Sequence, residues 1–201
     1  MKYRFNGFLL FGLGMVVNAM AGVLIFLNVS AGALFTFVGA AFAGLLAQII
    51  GAALVSAAGP RFVWGKGLVI ISSIAAALSY VLIISSTYSG SGGAMLSGMT
   101  LVFASSLALM LGVYCYLIGA RDMVSRTGAV RFAGQLDYAR RMYLGMTVLS
   151  LVLGFFFGGG TSTISYGIGA AAQMIMVVGA ALVSYRLMQL TGRFNGKEIT
   201  Q

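Results

Sequence analysis

The chain has 201 residues, of which 60% are apolar and only 7% are charged, and its net charge is +9. A soluble domain with so few ions would expose apolar patches far larger than water tolerates, so composition excludes that class. The sequence contains no histidine, which excludes imidazole ligation of haem and a Ser-His catalytic pair.

The charged residues fall into four clusters, separated by three charge-free stretches at 5–60, 67–120 and 142–185. These stretches have 56, 54 and 44 residues. Each is about twice the roughly 20 residues that an α-helix needs to cross a membrane. Each stretch therefore predicts a helical hairpin, and the chain predicts an all-α, polytopic membrane protein with six transmembrane helices in a single domain, 1–201.

The first hairpin is predicted at about 6–58, with a turn near residues 28–32. Gly59 and Pro60 predict its end, and aromatic and basic anchors follow them. The N-terminal apolar run of about 22 residues exceeds the 7 to 15 residues of a signal-peptide core, so we expect an uncleaved anchor.

The second and third hairpins are predicted at about 67–120 and 142–188. The segment between them, 121–141, is predicted as a basic loop that rests on lipid headgroups, with breaks at Gly128 and Gly134. Acid and arginine four residues apart, at 122 and 126 and again at 137 and 141, also make a helical extension plausible. A short polar tail, 189–201, completes the chain.

The three hairpins have features of parallel repeats. Their closing arginines, Arg61, Arg121 and Arg186, are 60 and 65 residues apart, and the hexamer GAALVS occurs at both 51–56 and 179–184. Chance recurrence in a chain rich in Ala and Gly is the alternative interpretation.

The topology also resembles a known family. Three short-looped hairpins in about 200 residues, opened by anchors such as Trp64-Gly65-Lys66 and Arg140-Arg141-Met142-Tyr143, are similar to the small six-helix HdeD-type membrane proteins. The resemblance implies a stress-associated membrane protein with no established chemistry.

Folding the chain as three hairpins brings all four charged clusters to one side of the bilayer. The positive-inside rule then predicts both termini on the cytoplasmic side or its topological equivalent, in a membrane that the sequence does not identify. A basic rim attracts anionic headgroups, and we predict a lipid-headgroup site at Arg126, Arg131, Arg140 and Arg141. A solvated loop that only sets orientation explains the same charges, and no nucleic-acid partner is expected.

Small residues at four-residue spacing predict close helix packing, which is the main adhesive between helices in lipid. The predicted packing residues are Gly14, Gly22, Ala43, Ala47, Gly51, Ala104, Ala108, Gly112, Gly154 and Gly158. They either pack within one chain or face outward to dock on another subunit.

Three amides, Asn18, Gln48 and Gln173, lie deep in the predicted spans. An unpaired polar group in hydrocarbon costs several kcal/mol, so each amide needs a partner. They either bond across helices or line a path for a small neutral solute.

No predicted span contains an acidic residue, and Cys115 has only Met110 nearby as a second sulfur ligand. We therefore expect no catalytic residue, metal or cofactor. The leading hypothesis is a non-catalytic structural or accessory subunit that packs against other membrane proteins, or against itself, and against lipids. A small channel for a neutral solute is the alternative; a lipid-modifying enzyme would lack a nucleophile with a base.

Overall fold

A computed structural model describes residues 2–27, 31–90, 92–157 and 163–194 of the chain. This part consists of six helices and contains no strand, so the predicted all-α class is confirmed. The helices are α1 Lys2–Phe26, α2 Ala31–Ser56, α3 Pro60–Ser89, α4 Gly92–Ser125, α5 Val130–Phe157 and α6 Thr163–Phe194.

Five of the six helices are long and apolar enough to cross a membrane. These spans lie at Asn6–Leu24, Thr36–Ser56, Pro60–Ser86, Gly92–Ser125 and Gly167–Thr191. The exception is α5, because its first half carries four charged residues. Its uncharged part, 142–157, is shorter than any of the other five spans.

The connection between α2 and α3 is shorter than the sequence predicted. Gly59 and Pro60 end the first hairpin as expected, but Pro60 is also the first residue of α3. Proline suits this position because the first N–H of a helix has no partner within the helix. The predicted interfacial anchors, Arg61, Trp64 and Lys66, consequently lie in the first two turns of α3.

The predicted basic loop at 121–141 is mostly helical. Helix α4 continues to Ser125 and α5 begins at Val130, so only 126–129 connects them. The predicted break at Gly128 is present, with a φ of 78° that favours glycine, whereas Gly134 lies inside α5 without a break. Helix α6 likewise continues through the start of the predicted tail to Phe194.

The helices form a closed ring. Each packs against the helices before and after it in the chain, and α1 packs against α6. Glycines permit the closest approaches: a Cβ on Gly14 of α1 would lie 2.6 Å from the carbonyl oxygen of Gly44 in α2. At the α6–α1 contact, the Ser184 hydroxyl donates to the Gly12 carbonyl.

Aromatic side chains fill the ring interior near one end. We call Phe8, Phe11, Phe62 and Tyr116 the aromatic plug. The Phe11 and Tyr116 ring centroids are 4.8 Å apart, and Phe62 lies 5.7 Å from both Phe8 and Tyr116. The Tyr116 hydroxyl donates to the Ala52 carbonyl at 3.1 Å. The plug thereby joins α1, α2, α3 and α4 across the ring.

The charged connections lie at the same end of the ring, which we call the basic end. Arg61 at the start of α3 pairs with Asp122 near the end of α4, and Arg186 of α6 bonds Gln135 of α5. The α3–α4 connection lies at the opposite end, where Gly90, with φ 67°, donates its N–H to Ser86. This arrangement agrees with the predicted gathering of charge at one end.

Candidate functional site

Three arginines surround one carboxylate at the basic end. Asp137 of α5 lies 2.6 Å from Nη2 of Arg140, 2.9 Å from Nη2 of Arg141 and 3.9 Å from Nη1 of Arg121. We call Arg121, Arg140, Arg141 and Asp137 the arginine cluster. It joins the last turns of α4 to the first turns of α5 and has two positive charges in excess.

The members of the cluster differ in exposure. The Arg140 and Asp137 side chains are each only 18% exposed, whereas Arg141 is 75% exposed. Arg140 is also held over the Tyr114 ring, 5.2 Å from its centroid, and its Nε is buried without a hydrogen-bond partner. Arg140 therefore has a fixed position, while Arg121 and Arg141 face outward.

The structure changes the membership of the predicted headgroup site. Arg140 and Arg141 lie together as predicted, but Arg126 and Arg131 are exposed and make no ion pair with the described residues. Arg121 takes their place in the cluster. No sequence pattern indicates this contact, because the predicted partner of Asp137 is Arg141 alone and Arg121 lies on another helix.

A second charged group links α5 to α6. Arg186 donates to Gln135 at 3.2 Å and to Gln189 at 2.8 Å, and its guanidinium lies over the Tyr185 ring. Its Nε is buried without a partner. The neutral amides leave the charge of Arg186 uncompensated, so this group and the arginine cluster both carry positive charge at the basic end.

The three predicted intramembrane amides have different surroundings. Gln48 is fully buried and donates to the Gly14 carbonyl at 3.1 Å, and Asn18 accepts from the Tyr80 hydroxyl at 3.1 Å. Gln173 is half-buried, and its Oε1 faces Gly22 of α1. Two of the amides thus bond across helices.

Four buried amide or hydroxyl oxygens in the described residues lack a hydrogen-bond partner of normal geometry. They are Gln48 Oε1, Ser73 Oγ, Tyr143 OH and Thr147 Oγ1. Tyr143 and Thr147 lie one turn apart on the same face of α5, with their side chains within reach of each other, and both residues are at most 2% exposed. Buried polar groups of this kind are normally satisfied by water or by a bound molecule. Of these four residues, only Gln48 was predicted from the sequence as an intramembrane polar group.

The predicted packing residues differ in their surroundings. Gly14, Ala47 and Gly51 lie in the α1–α2 contact, and Gly112 lies in the α3–α4 contact. Ala43, Ala104 and Gly154 are exposed, and a Cβ on Gly154 would meet no atom within 4 Å. Gly22 and Ala108 are half-buried, and Gly158 lies outside the described residues.

The outer surface of the ring is apolar. On α2, exposed residues recur at alternating spacings of three and four: Thr36, Gly39, Ala43, Leu46 and Ile50. On α3, a groove of about 260 Å³ is lined by Val63, Trp64, Gly67, Leu68 and Ile71. These faces have the composition of surfaces that contact lipid or another apolar helix.

The described residues contain no group of three His, Cys, Asp or Glu side chains that could hold a metal ion. Comparison with family models, curated proteins and solved structures finds no match to the chain. The resemblance to HdeD-type proteins therefore stays a prediction from topology, and any function must be argued from the residues themselves.

Proposed function

We propose that the chain is an integral membrane protein with a non-catalytic structural role, in which its outer faces pack against other membrane proteins and anionic lipids. The observation that carries this proposal is the outward stripe of α2. Its residues repeat with a mean period of 3.5, so they lie in one line along the exposed face of the helix, where another helix could pack.

Small residues make this stripe suitable for helix contact. Gly39 and Ala43 are four residues apart, both are exposed, and a Cβ on Gly39 would meet no atom within 4 Å. A second helix can therefore approach the α2 backbone closely here, and close van der Waals contact is what holds helices together in lipid. Ring closure supports the same role, because the interior is already packed and the remaining apolar surface faces outward.

The test is the mass of the protein in mild detergent. We expect the 20.9 kDa chain to purify in a defined assembly, with itself or with a stoichiometric partner. The double variant Gly39→Leu/Ala43→Leu should release the chain as a monomer. The matched control is Gly167→Leu/Ala171→Leu, which makes the same two substitutions four residues apart on the exposed face of α6 and should leave the assembly intact. A wild-type chain that is monomeric would contradict the proposal.

A second candidate function, facilitation of a small neutral solute, is favoured by the buried oxygens that lack partners. Tyr143, Thr147 and Ser73 offer hydrogen-bonding groups inside the ring. The aromatic plug opposes this function, because it occupies the interior at the basic end. In proteoliposomes, Thr147→Val should reduce glycerol or urea flux, and a variant that truncates a residue of the aromatic plug should raise it. Flux that neither Thr147→Val nor Gln48→Leu alters would remove the support for this candidate.

A further inference from the structure

We propose that the arginine cluster binds the phosphate of an anionic phospholipid, and that one acyl chain of this lipid lies along the outer face of α5. The inference deepens the proposed function and rests on it, because it requires the basic end to lie at a membrane surface. It names a lipid class and a place on the ring, which the proposed function leaves open.

The arginine cluster carries unbalanced positive charge. One carboxylate faces three guanidinium groups, so two positive charges lack a counter-ion within the cluster. Nη1 of Arg121 is 3.9 Å from Oδ1 of Asp137, which is too far for a hydrogen bond. A phosphate monoester with two negative charges would complete the balance, a phosphate with one would halve the excess, and either would accept from the outward donors of Arg121 and Arg141.

Two arginines of the cluster are already held in position before any ligand binds. Asp137 and the Tyr114 ring hold Arg140 in place, and Asp137 also forms an ion pair with Arg141 at 2.9 Å. Guanidinium groups that are already fixed lose little side-chain entropy when a ligand binds. Isolated surface arginines such as Arg126 lack this advantage. The carboxylate therefore organises the arginines as well as neutralising part of their charge.

An exposed apolar face of α5 lies beside the cluster. Arg141 is followed along one face of α5 by Gly145, Val148 and Val152, all of them exposed. A Cβ on Gly145 would meet no atom within 4 Å, so a notch lies one turn beyond the guanidinium of Arg141. A phosphate at the cluster would place its acyl chain at this notch and along the two valines. Because this apolar face of α5 continues directly from the charged cluster, a lipid fits the surface better than a soluble phosphate does.

The test is native mass spectrometry of the full chain, released from detergent micelles into which phosphatidic acid or phosphatidylcholine has been titrated. We expect the wild type to retain one phosphatidic acid in preference to phosphatidylcholine. The double variant Arg121→Gln/Arg141→Gln should bind phosphatidic acid about 30-fold more weakly, given roughly fivefold for each arginine near the membrane surface. Both side chains are substantially exposed, so folding should survive.

The matched control is Arg126→Gln/Arg131→Gln, which removes the same charge from exposed positions at the same end. It should leave retention within about twofold of the wild type, because diffuse attraction contributes little once the lipid is docked. Equal losses in the two double variants would overturn the proposal in favour of diffuse electrostatic attraction. Gly145→Leu should weaken binding by roughly fourfold, the equivalent of one displaced methylene; no effect would contradict the acyl track.

Two further measurements distinguish the sources of failure. Inorganic phosphate can be offered to the wild type in detergent micelles that contain phosphatidylcholine. If it binds as tightly as phosphatidic acid does, the cluster recognises a phosphate group alone, and the proposal of a lipid ligand is overturned. Alkaline carbonate extraction of the same variants reports membrane insertion. A chain that resists extraction but retains no phosphatidic acid refutes this inference alone, whereas a chain that is extracted refutes the proposed function.

Discussion

Glycines that look equivalent in the sequence differ in the space around them. Gly14 and Gly154 both belong to the predicted packing ridges, yet only Gly14 meets a neighbouring backbone. The sequence does not separate them, because in a membrane protein the faces toward lipid and toward another helix are both apolar. The amphipathic pattern that orients a soluble helix is therefore missing.

This difference gives a prediction for Gly14→Ala. The added methyl group would lie 2.6 Å from the Gly44 carbonyl oxygen and 2.7 Å from the Gln48 backbone nitrogen, so α1 and α2 must move apart. We expect a loss of about 1–3 kcal/mol in the free energy of unfolding, measured by SDS titration in mixed micelles. Gly154→Ala is the control, and it should be neutral or slightly stabilising. A larger loss for Gly154→Ala than for Gly14→Ala would contradict the packing described for α1 and α2.

Asp137 and Asp122 also differ, although both acids lie beside arginines in the sequence. Asp137→Asn would leave the largely buried Arg140 without an ionised partner, at a cost of roughly 1–3 kcal/mol in the free energy of unfolding. Asp122→Asn affects the exposed pair with Arg61 and should cost under about 1 kcal/mol. SDS titration of the two variants compares them directly, and equal losses would show that burial of Arg140 has no energetic effect.

At the scale of the helix, hydropathy predicted the six elements but not their ends. The prediction of three helix pairs used the length of apolar chain that is needed to span hydrocarbon, and the described residues do form six helices. Helix ends beyond the apolar region depend on contacts between helices. The pair between Arg61 and Asp122 and the cluster around Asp137 extend α3, α4 and α5 into the segments predicted as loops.

The contact between α1 and α6 is the element pairing that no sequence pattern indicated. A Cβ on Gly12 would lie 3.2 Å from the Cβ of Ser184, close to the separation found in disulfides. In a Cys115→Ser background, we expect Gly12→Cys/Ser184→Cys to form an intramolecular cross-link on mild oxidation, detected by a mobility shift on non-reducing gels. Gly12→Cys/Ser105→Cys, which pairs α1 with α4, should not cross-link. Cross-linking of the second pair alone would refute the closed ring.

For the whole molecule, the predicted gathering of charge at one end agrees with the structure, while the side of the membrane on which it lies stays a prediction. Single cysteines at Thr127 and Gly92, in the Cys115→Ser background, lie at the basic end and the opposite end. A membrane-impermeant maleimide should label Thr127→Cys only from the cytoplasmic side and Gly92→Cys only from the other side. Labelling of both from one side would contradict the six-span topology.

The three hairpins share packing positions that bear on the repeat hypothesis. In both copies of the GAALVS hexamer the glycine faces the first helix of its own hairpin, and the following alanine and the valine are buried. Gly112 of α4 faces α3 in the same way. These shared positions support comparison of the three hairpins, and the repeat stays a prediction because helix pairing alone produces similar contacts.

Adjacency of the first and last helices also means that the order of the hairpins in the gene is not dictated by their arrangement in space. Helix α1 starts and α6 finishes at the basic end, beside one another. A linker could join Phe194 to Lys2, and the chain could be opened in the exposed 126–129 connection at the same end of the ring. We therefore expect a circular permutation opened at 126–129 to keep the same fold.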